Sequence, residues 1–355
     1  MSHLSKLRHL IHELNADAVL LTGRPNRRYV AGYDISEGMA LISPNGCRYF
    51  TDSRYLEDAQ KHLPDFEVLL VDRENSYQKR IQEAIYDYHI EVLGYEEEEI
   101  TAGELSRLSD ALTADLLPVQ KMVSSLRMVK DSGEIESIRS AQDITDSVFL
   151  DLLNILRPGL TEKQVYAELI YRIYQHGGEA PSFDPVVVSG PNTSLPHGVA
   201  GDRILQAGDF VTLDFGCKVN GYCSDMTRTI AIGHATDKMR MVYDVVLRAQ
   251  KAGLTATKAG TTGAEIDAVA RNVIEAAGYG KYFGHGYGHG VGLEIHESPN
   301  CSPSWQKPIA AGCVCSAEPG IYLPDKFGVR IEDLVVITEN GYENLTKSAK
   351  SFIIV

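Results

Sequence analysis

The chain has 355 residues, of which 44% are hydrophobic and 23% are charged, as in a folded globular protein with two domains and unlike a disordered or fibrous chain. Asp and Glu total 48 against 34 Lys and Arg, so the formal net charge is −14. Such a charge repels phosphate backbones and anionic lipid on average, which argues against nucleic acid or a membrane as a partner.

The cysteines and the N-terminal residues predict a cytoplasmic protein. The six cysteines form no CxxC pair, which fits a reducing compartment. The first residues mix charged and apolar side chains, so we expect no secretory signal. A membrane span is not expected either, because about 18 apolar residues never run together.

Residues 1–124 alternate in the manner of a small α/β domain. Apolar periodicity predicts helices over 4–14 and 77–88 and strands over 18–21, 39–42, 47–51 and 68–71. The acidic run Glu96–Glu99 is typical of a solvated helix start. No motif in this part concentrates chemistry, and we end the first domain at residue 124.

Residues 125–355 are predicted to form one domain of two related halves. A long helix begins at the cap Asp131-x-x-Glu134 and extends to about Arg157, and a second helix follows the capping box Thr161-x-x-Gln164. About a hundred residues later the pattern recurs, with a helix from about Asp237 and a capping box at Thr262-x-x-Glu265.

The same offset pairs candidate site residues in the two halves. It brings His197 opposite His296, Asp214 opposite Glu318, and Asp225 opposite Glu332. Each half would therefore supply one histidine and two carboxylates.

Two hairpins are predicted to carry the carboxylates. Asn220-Gly221 is a strong signal for a two-residue turn, with Val219 facing Tyr222. That register makes Asp214 and Asp225 a diagonal pair about 7 to 8 Å apart on one face.

The second hairpin joins residues 317–322 to 329–333 across a loop containing Pro324, Asp325 and Gly328. Between the hairpins lies the glycine-rich segment 284–292. The spacing of its glycines does not match that of dinucleotide-binding motifs. We expect these glycines to allow another backbone segment to approach closely around His289.

Converging Asp, Glu and His side chains need positive charge to hold them together. Taken singly, each of these residues is more often structural, but a repeat that predicts their order favours a shared site. A pair of divalent cations about 3.5 to 4 Å apart would supply the charge. Oxygen donors with one imidazole favour Mn²⁺, then Co²⁺, Zn²⁺ or Fe²⁺. The predicted ligands are Asp214, Asp225, His289, Glu318 and Glu332.

Five stretches resemble the pita-bread (M24) metallopeptidases, specifically the Xaa-Pro branch with prolidase and aminopeptidase P. They are SFDPVVVSGPNTSLPHG (182–198), LDFGCKVNGYCSDMTRT (213–229), GHGYGHGVGLEIHE (284–297), SAEPGIY (316–322) and VRIED (329–333). The resemblance implies an α+β fold, with a pita-bread catalytic domain and its pseudo-twofold internal repeat over 125–355. It also implies a smaller creatinase-type α/β domain over 1–124, and a homodimer.

The resemblance further implies an exopeptidase acting on the Xaa-Pro bond of peptide N-termini or of Xaa-Pro dipeptides. The same five residues would be metal ligands, and the two cations would turn a shared water into the attacking hydroxide. Glu318 is the expected general base and His296 the group that stabilises the oxyanion. His197, His285, His296 and Arg330 would line the substrate site, with His197 also counted among the catalytic residues.

Departures from the family pattern and alternative functions stay open at this point. Tyr287 would either narrow the pocket or be a buried tyrosine with a satisfied hydroxyl, and Cys313 and Cys315 are expected to pack in the core. The alternatives are a methionine aminopeptidase-like specificity, a metal-free creatinase-like enzyme, and a non-catalytic binding protein of the same fold. The dipeptide or longer-peptide preference does not follow from the residues.

Overall fold

A computed structural model describes residues 2–355, which divide into two compact units. Unit 1 ends at Arg127, and unit 2 comprises Met128–Val355. Ser124 and Ser125, where the sequence analysis ended the first domain, belong to the last helix of unit 1. Within the described residues, no helix is both long and apolar enough to cross a lipid bilayer.

Unit 1 combines helices with a mixed sheet. Its helices are α1 (His3–Glu13), α2 (Arg24–Ala31), α3 (Leu56–His62), α4 (Tyr77–Tyr88), α5 (Ala102–Ala111) and α6 (Gln120–Ser125). Its strands are β1 (Ala18–Leu21), β2 (Met39–Ile42), β3 (Cys47–Thr51), β4 (Glu67–Leu70), β5 (Val92–Tyr95) and β6 (Asp115–Pro118). They form one sheet in the order β4-β3-β2-β1-β5-β6, so the predicted α/β arrangement is confirmed.

Local sequence signals account for most elements of unit 1. Strands β1, β2 and β3 coincide with their apolar runs. Helix α4 begins after Ser76, whose hydroxyl accepts the N–H of Lys79. The helix buries Ile81 against Leu20 and Phe50 of the sheet, and each such side chain removed from water stabilises the fold by roughly 1.5–3 kcal/mol.

The acidic run 96–99 is where the prediction for unit 1 is wrong. Glu96 is fully buried, and its carboxylate accepts the backbone N–H groups of Thr22 (2.5 Å) and Gly23 (2.7 Å). The side-chain amide of Asn26 donates a third hydrogen bond at 2.5 Å. Burial raises the pKa of Glu96, and these donors oppose the shift. The helix itself begins only at Ala102.

Replacing Glu96 by Ala is expected to lower the free energy of unfolding by about 1–3 kcal/mol, because three hydrogen-bond donors, two of them buried, lose their acceptor. Urea unfolding followed by circular dichroism would measure the loss. Glu98→Ala is the matched control, since Glu98 is exposed in the same run. Equal unfolding midpoints for the two variants would contradict the role given to Glu96.

Unit 2 contains two helix pairs and several sheets. Its helices are α7 (Ser132–Leu153), α8 (Glu162–Gln175), α9 (Asp237–Ala256) and α10 (Gly263–Ala276), with short 3₁₀ turns at Gly190–Ser194 and Gly280–Tyr282. The strands of its first half are β7 (Val186–Ser189), β8 (Phe210–Phe215), β9 (Lys218–Val219), β10 (Tyr222–Cys223) and β11 (Met226–Ala231). Those of its second half are β12 (Gly288–Gly290), β13 (Glu297–Cys301), β14 (Val314–Ala317), β15 (Gly320–Leu323), β16 (Phe327–Arg330), β17 (Asp333–Thr338) and β18 (Gly341–Asn344).

The predicted helix starts of unit 2 are confirmed. Capping boxes are present at the N-termini of α7, α8 and α10, formed by Asp131 with Glu134, Thr161 with Gln164, and Thr262 with Glu265. The free N–H groups of the first turn are satisfied by side chains within four residues of the helix start. A four-residue pattern therefore suffices to predict where the helix begins.

Helix α7 ends at Leu153, before the predicted Arg157. The N–H groups of Asn154 and Ile155 bond to carbonyls three residues back instead of four, which tightens and terminates the last turn. The apolar residues that follow still pack in the core, so their periodicity continues past the end of the helix.

Each helix pair packs on one sheet. Strands β11-β8-β7 form a three-stranded sheet, and Phe149 of α7 and Leu169 of α8 pack in one core with Phe215 of β8. Strands β13-β12-β14-β17-β18 form a five-stranded sheet, whose core contains Val246 of α9 and Ile274 of α10. Strands β9 with β10 and β15 with β16 form separate hairpins. The predicted α+β class and the division of this part into two similar halves are confirmed.

Candidate metal centre

One cavity of about 520 Å³ in unit 2 is lined by every residue that the sequence analysis assigned to a site. These residues are His197, Asp214, Asp225, His285, His289, His296, Glu318, Arg330 and Glu332. Much of the remaining wall is apolar and includes Phe183, Pro185, Val186 and Ile295. The cavity thus combines a charged cluster with an apolar surface, as small-molecule sites commonly do.

The hairpin at Asn220-Gly221 sets the positions of the two aspartates. Val219 pairs with Tyr222 as predicted, and both turn residues adopt positive φ, which suits Asn and Gly. The same register continues into β8 and β11, where Thr227 pairs with Asp214. The side chain of Asp225, just before β11, also reaches the cavity and is buried.

The two glutamates lie where paired strands are interrupted. Ala317 of β14 pairs with Asp333 of β17, and Gly320 of β15 pairs with Arg330 of β16. Between these pairs, residues 318–319 and 331–332 leave the ladder, and both carboxylates reach the cavity. The predicted second hairpin is therefore present as β15–β16 but shorter, with Gly328 inside β16 and not in the loop.

His289 lies on β12 between two glycines that allow close backbone approach, as predicted. A Cβ at Gly288 would lie 2.0 Å from the carbonyl oxygen of Ser316, and one at Gly290 would lie 2.5 Å from that of Glu297. The His289 Nδ1–H donates to the carbonyl of Gly290 at 3.2 Å. Nε2 is thereby directed at the carboxylates, 3.1 Å from Glu318 Oε1.

The cluster fits a divalent cation. One ligand atom each from Asp225, His289 and Glu332 lie within 4.8 Å of one another. Asp225 Oδ1 and Glu332 Oε1 are buried and have no hydrogen-bond partner in the described part of the chain. Buried carboxylate oxygens without donors are costly unless a cation binds them. Oxygen donors with one imidazole match the hard and borderline metals.

The charges in the cluster shift one another's titration. Burial, followed by the charges of Glu332, Asp214 and Glu318, raises the pKa of Asp225 well above its usual range. Burial and the neighbouring carboxylates raise the pKa of Glu332 in the same way.

His289 and Glu318 shift in the opposite sense. Burial would lower the pKa of His289, but the hydrogen bond to Glu318 and the negative charges of Glu318 and Glu332 together outweigh burial and raise that pKa to about 9. Burial would raise the pKa of Glu318, but its hydrogen bond to His289 and the positive charges of His289 and Arg330 together lower that pKa to about 2. The imidazolium thus supplies positive charge next to these carboxylates, a role that a metal ion would also fill.

Arg330 bonds directly to one of the candidate ligands. Its guanidinium donates to Asp214 Oδ2 at 2.5 Å and to the hydroxyl of Thr227 at 3.0 Å. A further bond reaches the carbonyl of Pro196 at 3.3 Å. These contacts match a role for Arg330 in steadying a carboxylate of the cluster rather than in holding a substrate carboxylate.

Sequence reasoning missed Tyr322, which links Arg330 to His285. Its hydroxyl accepts an N–H of Arg330 at 2.8 Å and donates to His285 Nε2 at 2.9 Å. His285 Nδ1–H in turn donates to the carbonyl of Gly286 at 2.8 Å. Burial lowers the pKa of His285, which keeps the imidazole neutral and able to accept from the tyrosine. Tyr322 lies two residues after Gly320 within the predicted strand, and this position was the signal from which its place near the site could have been predicted.

Two further hydroxyl residues support the glutamates. Thr227 Oγ1 donates to Glu332 Oε2 at 2.7 Å. Ser316 Oγ donates to Glu318 Oε1 at 3.1 Å and accepts the backbone N–H of His289 at 3.0 Å. Each lies two residues from a candidate ligand, Thr227 after Asp225 and Ser316 before Glu318, so the period of a strand could have identified both.

His197 and His296 are exposed and remain accessible from the cavity. The ring of His296 packs edge-on against that of His289, with 4.4 Å between centroids. Burial on that side lowers the pKa of His296, and the charge of His289 adds to the effect. His296 is therefore a neutral imidazole that can donate one hydrogen bond.

The departures from the family pattern lie outside the cavity wall. Tyr287 is fully buried, and its hydroxyl donates to the carbonyl of Gln250 at 2.8 Å. The interpretation of Tyr287 as a buried residue with a satisfied hydroxyl is confirmed, and the narrowed pocket is wrong. Cys313 and Cys315 pack in the core of the second half, as expected. The cysteines are all free thiols.

Comparisons with known proteins identify the family to which both parts of the chain belong. Residues 136–339 match the model of metallopeptidase family M24, and residues 3–129 match that of the creatinase/prolidase N-terminal domain. An Xaa-Pro dipeptidase from Pyrococcus horikoshii is 34% identical over 357 residues, covering 99% of this chain and 98% of that protein.

Two solved structures are similar along the whole chain. One is the Xaa-Pro dipeptidase from Bacillus anthracis, with a TM-score of 0.96, 40% identity and 99% of each chain covered. The other is the X-Pro aminopeptidase from Thermotoga maritima, with a TM-score of 0.94, 39% identity and complete coverage of both chains. This chain is therefore a metallopeptidase of family M24 with a creatinase/prolidase-type N-terminal domain, as the resemblance in its sequence implied.

Proposed function

We propose that this chain is a dinuclear-metal exopeptidase that hydrolyses the Xaa-Pro bond, either at the N-terminus of peptides or in Xaa-Pro dipeptides. The observation that carries the proposal is the cluster of Asp214, Asp225, His289, Glu318 and Glu332 on one cavity, in which two buried carboxylate oxygens lack hydrogen-bond partners among residues 2–355. The substrate class is supported by the relatives named for the Xaa-Pro bond.

The bond before proline needs its own kind of site. Its nitrogen belongs to a ring and carries no hydrogen, so a site that binds the scissile N–H fails on it. Bound to the five ligands, the two cations would supply a hydroxide nucleophile at neutral pH and polarise the scissile carbonyl. The protein's own side chains would then position the substrate and move protons.

Glu318 is the proposed general base. Its lowered pKa keeps it ionised, and Ser316 fixes one of its oxygens by a hydrogen bond. It would accept the proton of the attacking water and pass it to the proline nitrogen as that bond breaks.

The histidines would act on the substrate. His296, neutral and accessible, would donate to the oxygen of the carbonyl as negative charge develops there. His197 and His285 would hold the proline side, with His197 also facing the reacting bond. Arg330, bonded to Asp214 and Tyr322, would keep both the carboxylate and His285 in place.

We further propose Mn²⁺ as the metal, a homodimer as the assembly and the cytoplasm as the compartment. The donor set of four carboxylates and one imidazole supports Mn²⁺, with Co²⁺, Zn²⁺ or Fe²⁺ as the other candidates. The homodimer rests on the family resemblance. The buried free thiols support a reducing compartment.

Cleavage of Ala-Pro and Ala-Pro-Xaa peptides by the metal-stripped protein, with Mn²⁺, Co²⁺ or Zn²⁺ restored, tests the proposal. We expect the Ala-Pro bond to be cleaved only when metal is present, and the two substrates separate a dipeptidase from an aminopeptidase. Cleavage of Met-Ala peptides but not of Ala-Pro would favour a methionine aminopeptidase-like specificity. A metal-loaded protein inert on every Xaa-Pro peptide would favour a binding protein.

A further inference from the structure

Glu162 is a fully buried carboxylate that does not line the cavity. Its Oε1 accepts the N–H (2.7 Å) and the hydroxyl (2.8 Å) of Ser189 and the side-chain amide of Asn192 (3.1 Å). Its Oε2 accepts the N–H of Gly201 at 2.9 Å. Glu162 is the first residue of α8, where the helix dipole favours a negative charge. Four donors therefore hold this side chain in place.

The four donors come from the two ends of one loop, and that loop carries His197. Ser189 and Asn192 precede His197, and Gly201 follows it. Between these ends the loop also touches the opposite hairpin, where the N–H of Gly328 donates to the hydroxyl of Thr193 at 2.8 Å. Among the described residues, Glu162 is the side chain that hydrogen-bonds to both ends.

His197 depends on this loop for its position. Its imidazole forms no hydrogen bond with any residue of the described chain. In contrast, His285 and His289 are each oriented by a bond from Nδ1 to a backbone carbonyl. Without such a bond, the backbone of the loop decides where the His197 ring lies, and freeing that backbone would let the ring spread over many positions.

We propose that Glu162 is the positioning residue for His197. By binding both ends of loop 189–201, its carboxylate holds that imidazole at the substrate side of the cavity. The inference rests on the proposed function, because the effect of His197 is read from Xaa-Pro hydrolysis.

The Glu162→Gln variant tests this inference in a double-mutant cycle with His197→Ala. The glutamine amide has one acceptor and would turn N–H groups toward donors at one end of the loop, so that end is released. Because His197 is proposed to hold the proline side of the substrate, we expect its misplacement to raise KM for Ala-Pro by about tenfold. In the His197→Ala background the same substitution should change KM by less than about twofold.

Metal affinity and fold serve as the further readouts. Glu162→Gln should bind Mn²⁺ with the affinity of the parent protein, because none of the five ligands touches Glu162. Glu168→Gln is the matched control, since Glu168 lies on the same helix with a largely exposed side chain, and it should change neither parameter. If Glu162→Gln does not fold, Asn192→Ala removes one donor from the same carboxylate and should show a smaller effect that again disappears without His197.

Two outcomes would overturn the inference while leaving the proposed function intact. The first is a KM effect of equal size with and without His197, since that would show that Glu162 acts elsewhere. The second is a loss of Mn²⁺ affinity that accounts for the whole change. A parent protein that cleaves no Xaa-Pro peptide would instead refute the proposed function, and this inference with it.

Discussion

Replacing Asp225 by Asn is expected to abolish Xaa-Pro hydrolysis and metal binding while the protein still folds. Within the part of the chain that the structure describes, Asp225 Oδ1 is buried without a hydrogen-bond partner, and Oδ2 lies 3.6 Å from His289 Nε2. The amide keeps the shape of the side chain but removes the negative charge and replaces one acceptor with a donor. Metal content after dialysis and Ala-Pro cleavage measure the two losses.

Stability provides an independent check on the same variant. The parent protein should gain about 2.7 kcal/mol when the metal concentration is a hundred times its Kd, whereas Asp225→Asn should gain almost nothing. Without metal, the variant should be at least as stable as the parent. Burial and the charges of Glu332, Asp214 and Glu318 raise the pKa of Asp225, so its ionised form is unfavourable in the fold near neutral pH.

The control for this experiment is Asp244→Asn. Asp244 lies on α9 with an exposed side chain paired to Arg248, and its loss should leave metal content and activity unchanged. Normal Ala-Pro cleavage by Asp225→Asn would refute the assignment of Asp225 to the metal centre.

The His296→Ala variant is expected to lower kcat by about two to three orders of magnitude, the usual cost of losing one oxyanion donor. His296 packs against His289 and, among the described residues, forms no hydrogen bond with the carboxylates, so metal content should stay near that of the parent. Steady-state kinetics on Ala-Pro, with metal analysis of the same samples, separates a loss of chemistry from a loss of metal. The expected change is mainly in kcat, because the donor acts on charge that develops in the transition state.

His234→Ala provides the comparison, since His234 is exposed and does not line the cavity. It should leave kcat unchanged. If His296→Ala also kept the parental kcat, His296 would be a structural residue, and the oxyanion would need a different donor.

Short-range signals predicted the local structure well. The capping box of Thr161 and Gln164 and the turn at Asn220-Gly221 depend on contacts within four residues of the chain. The turn also sets the register of β8 and β11. It therefore correctly predicted that Asp214 and Asp225 point to the same side, where both line the cavity. Resemblance then supplied His285, Arg330 and the roles of the other histidines, because their spacing alone does not show what they contact.

The errors arose where distant segments decide the environment. Glu96 looks like a solvated residue in an acidic run. In the structure it is buried, and its carboxylate accepts hydrogen bonds from the N–H groups of Thr22 and Gly23. Tyr322 looks like an ordinary strand residue, yet Arg330 and His285 make it part of a hydrogen-bonded chain. Neither partnership can be read from neighbours in the chain, since the partners come from other strands or loops.

The sequence by itself determined the α+β class, the repeat of two halves, the helix starts and the candidate site residues that line the cavity. Only the tertiary structure decided which carboxylate oxygens remain without partners, that Arg330 bonds Asp214, and that Glu162 binds both ends of the His197 loop. The physical reason is the distance along the chain over which each kind of interaction acts. Caps and turns are satisfied within a few residues, whereas the charge and hydrogen bonding of a buried side chain depend on every segment packed around it.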